Sequence, residues 1–206
     1  LEMKIKTGAD RNGRLLAMQA VITCDTGSYA SYGIPVASRS AVHATGPYEI
    51  ENVDLNTHCV YTNNPFSGAM RGFGTPQMAI AHESQMDLLA RELGIDPLEI
   101  RRINMLKEGS VTATGQKLTA SVGIGECLDA VQLHYEQARS QWLNEPGRSH
   151  IKKGVGIGCM WYGIGNTGVQ NPSTARMTID TNGHITLFTG CAELGQGSTT
   201  VLAQIA

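Results

Sequence analysis

No two cysteines of this 206-residue chain form a Cys-x-x-Cys pair, and their number is odd: Cys24, Cys59, Cys127, Cys159 and Cys191 are scattered singly. That spacing excludes a disulfide scaffold, a zinc ribbon or an iron–sulfur cluster held within the chain. Reduced, mostly buried thiols in a cytoplasmic protein are the simplest account. The six histidines show no metal-ligand spacing either. Basic excess is absent too: the formal net charge is −2, so nucleic acid is not expected as a partner. No apolar stretch nears the ~18–20 residues of a membrane helix, and no charged-then-apolar leader opens the chain, so no membrane association is expected. There is no internal repeat. With 41% hydrophobic and 17% charged residues, the chain can bury a core as one domain or two small lobes. Its 24 glycines stand out. They are roughly twice the usual ~7% share, which favours turns and close backbone approaches.

Those turns organise what is present. Met3-Lys4-Ile5-Lys6 alternates like a strand, Asp10-Arg11-Asn12-Gly13 reads as a hairpin turn, and Leu15 to Thr23 as the return strand. Asp25 to Tyr48, rich in Gly, Ser and Ala, shows no period. Val53 to Thr62 reads as another strand. From Pro76 to Leu93, the residues Ala79, His82, Met86, Leu89 and Leu93 recur at helical spacing, and Gly94 ends the run. Asp96-Pro97-Leu98-Glu99 offers a cap, a first-turn proline and a capping box for a helix to about Leu106. Glu126 to Leu143 predicts an amphipathic helix with Leu128, Val131, Tyr135, Ala138 and Trp142 on one face. The polar run 144–150 marks a boundary between a first lobe, 1–145, and a second, 151–206. Val155 to Met160 resumes a strand. Residues 175–180 and 184–187 alternate about Thr181-Asn182-Gly183, a second hairpin, and a helix starts after Gly195-Gln196-Gly197-Ser198. The expected fold class is α+β, mixed sheets with packed helices. Both ends read as interior to a longer protein.

The densest segment is Asn64-Pro65-Phe66-Ser67-Gly68-Ala69-Met70-Arg71-Gly72-Phe73-Gly74-Thr75-Pro76-Gln77. Thr75 is placed to cap the following helix, and Pro76 suits its first position. Gly68, Gly72 and Gly74 allow close backbone approach or positive φ. The loop would present Arg71, Phe73 and backbone amides beside a helix N-terminus, an arrangement suited to something flat and anionic. Taken alone, it equally suits a glycine-rich turn with Phe73 in the core.

Ala69-Met70-Arg71-Gly72-Phe73-Gly74-Thr75-Pro76-Gln77 closely resembles the signature of the molybdenum hydroxylases, the xanthine dehydrogenase and aldehyde oxidase family. Gly190-Cys191-Ala192-Glu193-Leu194-Gly195-Gln196-Gly197 is similar to a second signature, with Leu194 for the usual Met. Pro97-Leu98-Glu99-Ile100-Arg101-Arg102-Ile103-Asn104 resembles a third. The resemblance implies an internal piece of a molybdopterin-binding subunit, with molybdenum held mainly by pterin sulfurs. It implies a molybdopterin cofactor in the cytosine dinucleotide form, and [2Fe–2S] and FAD carried on other domains or subunits. The complete protein would be a cytoplasmic oligomer oxidising an N-heteroaromatic ring, xanthine-like or nicotinate-like, with oxygen from water.

Residue roles carry over with the motifs. Arg71 would offer its backbone amide at the metal, beside Gly72, because a preorganised amide needs no reorganisation as charge builds. Phe73 would stack on the substrate ring. Arg39, 32 residues before Arg71, resembles the arginine that purine-hydroxylating members aim at a substrate carbonyl oxygen. Gly195 and Gln196 match contacts to the cofactor pyrophosphate, with free amides at the strand-to-helix turn. Trp161 or Tyr162, before Gly163-Ile164-Gly165-Asn166, falls near a second ring-sandwiching aromatic. Glu193 is not assigned as the base, which the resemblance places outside this chain. A non-catalytic scaffold that keeps the fold, or an aldehyde-oxidising member, are the alternatives. A nucleotide dehydrogenase built on the Gly195 loop lacks the βαβ pattern and acidic partner.

Overall fold

Every second residue of the first strands turns inward, so a period of two in the sequence becomes one covered sheet face. The computed structural model describes residues 1–144, 150–163, 165 and 170–206. It divides into two compact units, Leu1–Tyr162 and Gly163–Ala206. The polar run expected to mark a boundary falls largely on 145–149, outside the described residues.

In the first unit β1 (Glu2–Ala9), β2 (Leu15–Gly27) and β3 (Asn52–Tyr61) form a sheet in that order. β1 and β2 pair antiparallel through the Asp10–Gly13 turn, where Asp10 Oδ1 accepts from the amides of Asn12 and Arg14. β3 runs parallel to β2, with Cys24 opposite Cys59. A parallel neighbour requires a crossover, and the chain supplies a helix, α1 (Gly33–Val42), inside the stretch that shows no period. The reason it escapes notice is compositional. Its buried residues are Gly33, Ala37 and Ser40, too small to write a hydrophobic stripe.

α2 (Thr75–Leu93) lies against this layer with Met78, His82, Met86 and Ala90 buried. It begins one residue earlier than expected. Gly74, in the left-handed region, is the N-cap, Thr75 is the first helical residue, and the Thr75 side chain makes no cap. Gly94 ends α2 as expected. In α3 (Pro97–Asn104) Asp96 accepts the Leu98 amide, as the sequence predicts. This helix stops two residues short of Leu106 because Met105 bridges to Tyr48 and the Leu106 amide donates to Pro47, which draws the chain into extended form.

In α4 (Ile124–Asn144), Leu128 alone of the predicted face is fully buried, whereas Val131 and Trp142 are exposed. Polar contacts tie this helix down instead: Arg102 to Asp129 and Gln132, and Arg139 to Asp96. The expected strand at 155–160 forms no ladder. Its Cys159 amide donates to the Glu83 carboxylate rather than to a neighbouring strand. One core cluster joins Leu15, Met18, Tyr48, Ile50, Met86 and Ile100 among others; a second joins Ile22, Cys24, Ala37, Ala44 and Met78.

The second unit holds the predicted hairpin, β4 (Arg176–Ile179) antiparallel to β5 (Ile185–Phe188), and α5 (Ser198–Ile205). Asp180 Oδ1 organises the turn by accepting from the amides of Asn182 and His184. The architecture is α+β. Among the described residues no helix is long and apolar enough to cross a membrane.

Candidate functional site

Three successive residues of the signature loop take positive φ: Gly72 at 94°, Phe73 at 53° and Gly74 at 97°. For Phe73 this conformation costs roughly 1–2 kcal/mol, since its Cβ crowds the following carbonyl. The packing on both sides over-determines it. Phe73 N–H donates to Met70 O at 2.8 Å and Thr75 N–H to Gly72 O at 3.0 Å. The Phe73 ring meets Tyr32 edge-on, with centroids 5.9 Å apart. A side chain at Gly74 would meet Val36 O at 2.6 Å and Ser40 Oγ closer still, so the turn lies directly on α1. Gly68, by contrast, has open space around it and no positive φ.

The other end of the loop hangs on β2. Asp25 accepts from Thr62 Oγ1 at 2.7 Å, Asn64 Nδ2 at 2.6 Å and the Gly27 amide at 2.8 Å. Ser67 returns two bonds to the Asp25 and Thr26 carbonyls. The hydrogen bond from Thr62, then those from Asn64 and Gly27, hold the Asp25 carboxyl below the ordinary aspartate range. Among the described residues the amides of Arg71 and Gly72 find no acceptor, and Arg71 itself is exposed. A loop pinned at both ends with donors left over fits a ligand rich in oxygen or sulfur acceptors.

α1 joins the two residues expected at the substrate. Tyr32, its N-cap, holds Phe73, and Arg39 sits in its last turn. Seven residues of helix separate those anchor points by about 10 Å along the axis. The Arg39 guanidinium lies 5.1 Å from the Tyr162 ring centre. His43, one turn on, stacks with Tyr162 at 5.4 Å and tilts against Trp161 at 4.7 Å. Burial, reinforced by the Arg39 charge, holds His43 below its ordinary range even though its Nδ1 lies 2.9 Å from the Arg39 carbonyl oxygen. At neutral pH His43 is therefore an uncharged ring in an aromatic group. Ile164 and Asn166, in the stretch expected to carry a second sandwiching aromatic, lie outside the described residues.

Beneath this group runs a buried charged network. Arg101 is fully buried; its Nε donates to Glu83 Oε2 at 2.8 Å, Nη2 to Asp87 at 2.9 Å and Nη1 to Pro97 O at 2.7 Å. Tyr48 OH donates to Glu83 Oε1 at 2.6 Å. Burial alone would raise the Glu83 carboxyl, but bonds from His82 and Tyr48, the Arg101 charge and the Cys159 amide hold it below the ordinary glutamate range. Burial, with the Glu83 charge behind it, pushes the Tyr48 phenol far up. Asn104 in turn locks the first hairpin, accepting from the Leu15 amide and donating to Gly13 O. The third sequence signature is thus a framework element.

In the second unit the sequence expects free amides at the Gln196 turn, and the structure fills those of Gly195, Gly197 and Thr199. Glu193 accepts from the amides of Gly195, Gly197 and Thr199 and from Ser198 Oγ, at 2.7 to 3.1 Å. These bonds, that of Gly197 first, bring its carboxyl down to about 2. Gln196 Oε1 accepts from the Leu194 amide and its Nε2 donates to Ala192 O. The physical reason is local: a carboxylate two residues before a helix-opening turn reaches the same positive amides that an external anion would.

Asp25, Tyr32, His43 and Glu83 are the residues of this region that the sequence reading missed. Only His43 left a signal, the i, i+4 spacing from Arg39, which becomes legible once α1 is known to be a helix. Among the described residues no cluster of His, Cys, Asp and Glu could hold a metal ion.

These features define a class before any particular relative. Models of the molybdopterin cofactor-binding domain match residues 1–105 and 126–206, and the chain belongs to that family, within the molybdenum hydroxylases. Among its relatives, the large molybdopterin subunit of nicotinate dehydrogenase from Eubacterium barkeri is 48% identical over 145 residues, 68% of this chain and 34% of that protein. The molybdenum-binding subunit of xanthine dehydrogenase from Escherichia coli is 35% identical over 203 residues, 96% of this chain and 26% of that protein. The crystal structure of the aldehyde oxidoreductase from Desulfovibrio desulfuricans matches with a TM-score of 0.79 and 31% identity, covering 90% of this chain and 20% of that one. The chain therefore spans about a third or less of the length of the relatives it matches.

Proposed function

We propose that the protein carrying this chain is a molybdenum-dependent oxidoreductase. It acts on an N-heteroaromatic ring, xanthine-like or nicotinate-like, with water as the oxygen source. The observation that supports this most is that one short helix serves both residues: Arg39 lies within α1, and the Phe73 ring meets its N-cap Tyr32. A flat ring packed on Phe73 and a permanent cation beyond it suit a heterocycle that gathers negative charge. The similarity to a nicotinate dehydrogenase subunit points the same way.

When bound, the cofactor supplies the two-electron redox chemistry. The chain's own residues hold and orient. The amides of Arg71 and Gly72, which have no acceptor among the described residues, would donate toward the cofactor. At the turn of Gly195 and Gln196, Glu193 already takes the Gly195 amide and fixes the shape of the turn, so the backbone amide of Gln196, which has no acceptor among the described residues, would face the pyrophosphate, with Gly195 leaving room for its approach. The first lobe, 1–145, and the second, 151–206, would each contribute one of these glycine turns. The base that removes the proton is expected outside this chain. So are the [2Fe–2S] and flavin centres of partner domains or subunits, in a cytoplasmic oligomer using the cytosine dinucleotide form of the cofactor.

Similarity to aldehyde oxidoreductase favours a second reading, oxidation of an aldehyde. One substitution separates the two. In the complete protein, Arg39→Met is expected to lower turnover of an N-heteroaromatic substrate about 100-fold, the order lost with one charge-stabilising donor. Aldehyde turnover should stay within a few-fold. Equal losses on both substrates would remove Arg39 from the substrate site.

A further inference from the structure

Glu83 lies mid-way along α2 with its side chain only 13% exposed, and it gathers more contacts than a salt-bridge partner needs. Tyr48 OH, His82 Nδ1 and Arg101 Nε approach it from the body of the first unit. The remaining contact differs in kind. It is the backbone amide of Cys159, 2.9 Å from Oε2, in a stretch that forms neither helix nor strand. Cys159 is buried in the main core cluster, and Ile157 packs against it. Two and three residues further on come Trp161 and Tyr162, the aromatics that meet His43 and Arg39 on α1.

We propose that Glu83 is a positioning residue for the substrate site: by accepting the Cys159 amide it holds Trp161 and Tyr162 against α1 and so fixes the setting of Arg39. This rests on the functional reading above. Glu83 touches no substrate; it acts through the backbone of 159–162. The chemistry of the contact tells it apart from plain core stability. Arg101 needs the charge, whereas the Cys159 amide needs only an oxygen at that place. Glu83→Gln can leave its carbonyl oxygen on Arg101 and Cys159 while its amide nitrogen faces Tyr48 and His82. The triple variant Glu83→Leu, Arg101→Met, Tyr48→Phe removes the acceptor altogether and replaces a buried ion pair by apolar groups of similar volume, an exchange that cores often accept.

Two measurements test it. In the full chain carrying Trp142→Phe, Trp161 is the remaining tryptophan, and its indole nitrogen is buried. Its emission is expected to shift to the red, with readier quenching by iodide, in the triple variant and not in Glu83→Gln. Should circular dichroism show the triple variant unfolded, Glu83→Asp takes its place. It keeps the charge and withdraws the carboxylate by one methylene, and the same red shift is expected. In the complete protein, the tether-breaking variant should lower kcat for an N-heteroaromatic substrate about tenfold with KM changed less than about twofold, and Glu83→Gln should keep kcat near that of the unaltered protein.

An unshifted Trp161 spectrum overturns the proposal whatever the activity. So does a shifted spectrum with both kinetic constants unchanged. A complete protein that turns over no N-heteroaromatic, while the spectrum shifts as stated, overturns the functional reading and leaves the Glu83 tether standing.

Discussion

Arg101 shows what a single buried charge demands. With no exposure, its guanidinium is satisfied by Glu83, Asp87 and the Pro97 carbonyl. Removing one partner of such a pair leaves the other uncompensated, so Arg101→Ala should lower unfolding stability by about 3–5 kcal/mol in urea titrations. The same network has a pH signature. Glu83 is depressed in the folded state, so its contribution is fully present above the unfolded value of about 4.3 and is lost as pH falls below that through the depressed folded value. Urea midpoints measured from pH 6 to pH 3 should fall below about pH 4, and Glu83→Gln should flatten that limb. A wild-type limb already flat would mean that Glu83 is not depressed. Residue chemistry here was half legible. The third signature put Arg101 and Asn104 in view, but nothing local shows that their partners are Glu83, 18 positions earlier, and Gly13, 91 positions earlier.

α1 and the signature turn make one element pair. Gly74 is held at φ 97° with the Val36 carbonyl where a side chain would begin. Gly74→Ala therefore meets both a backbone clash and an unfavourable φ. A loss of more than ~1 kcal/mol is expected, read as a lower thermal midpoint, because native strain adds to any change in the unfolded chain. A neutral result would mean that the turn can move away from α1. The elements written by a period were legible: the first hairpin, the strand at Val53, α2 with its Gly94 stop, the Asp96 cap and the second hairpin. Those without one were not. α1 buries glycine, alanine and serine. The apolar spacing of 155–160 imitates a strand, although that stretch is held through one amide to a carboxylate. α4 keeps a helical stripe whose far end is left exposed.

Across the whole chain, the two units each supply one of the glycine turns that the family likeness assigns to the cofactor. Their roles differ in what the fold leaves available. At Arg71 and Gly72 donors remain; in the second turn Glu193 has taken those of Gly195 and Gly197. The stretch matched here makes up about a third or less of each relative. The 206-residue chain by itself should therefore neither turn over substrate nor retain stoichiometric molybdopterin. Metal analysis and pterin fluorescence of the purified chain would check this, and one molybdenum per chain together with activity would refute it.

The sequence by itself determined the family, the α+β class and the position of both glycine turns, because these depend on residue order and local conformational preference. Tertiary structure decided what no window could contain. A parallel crossover turned an unpatterned stretch into the helix that carries Tyr32, Arg39 and His43. A carboxylate on α2 caught an amide 76 residues away. The physical reason is the same in each case: hydrogen-bond partners are chosen by proximity after the chain has packed, and that proximity is not written in neighbouring residues.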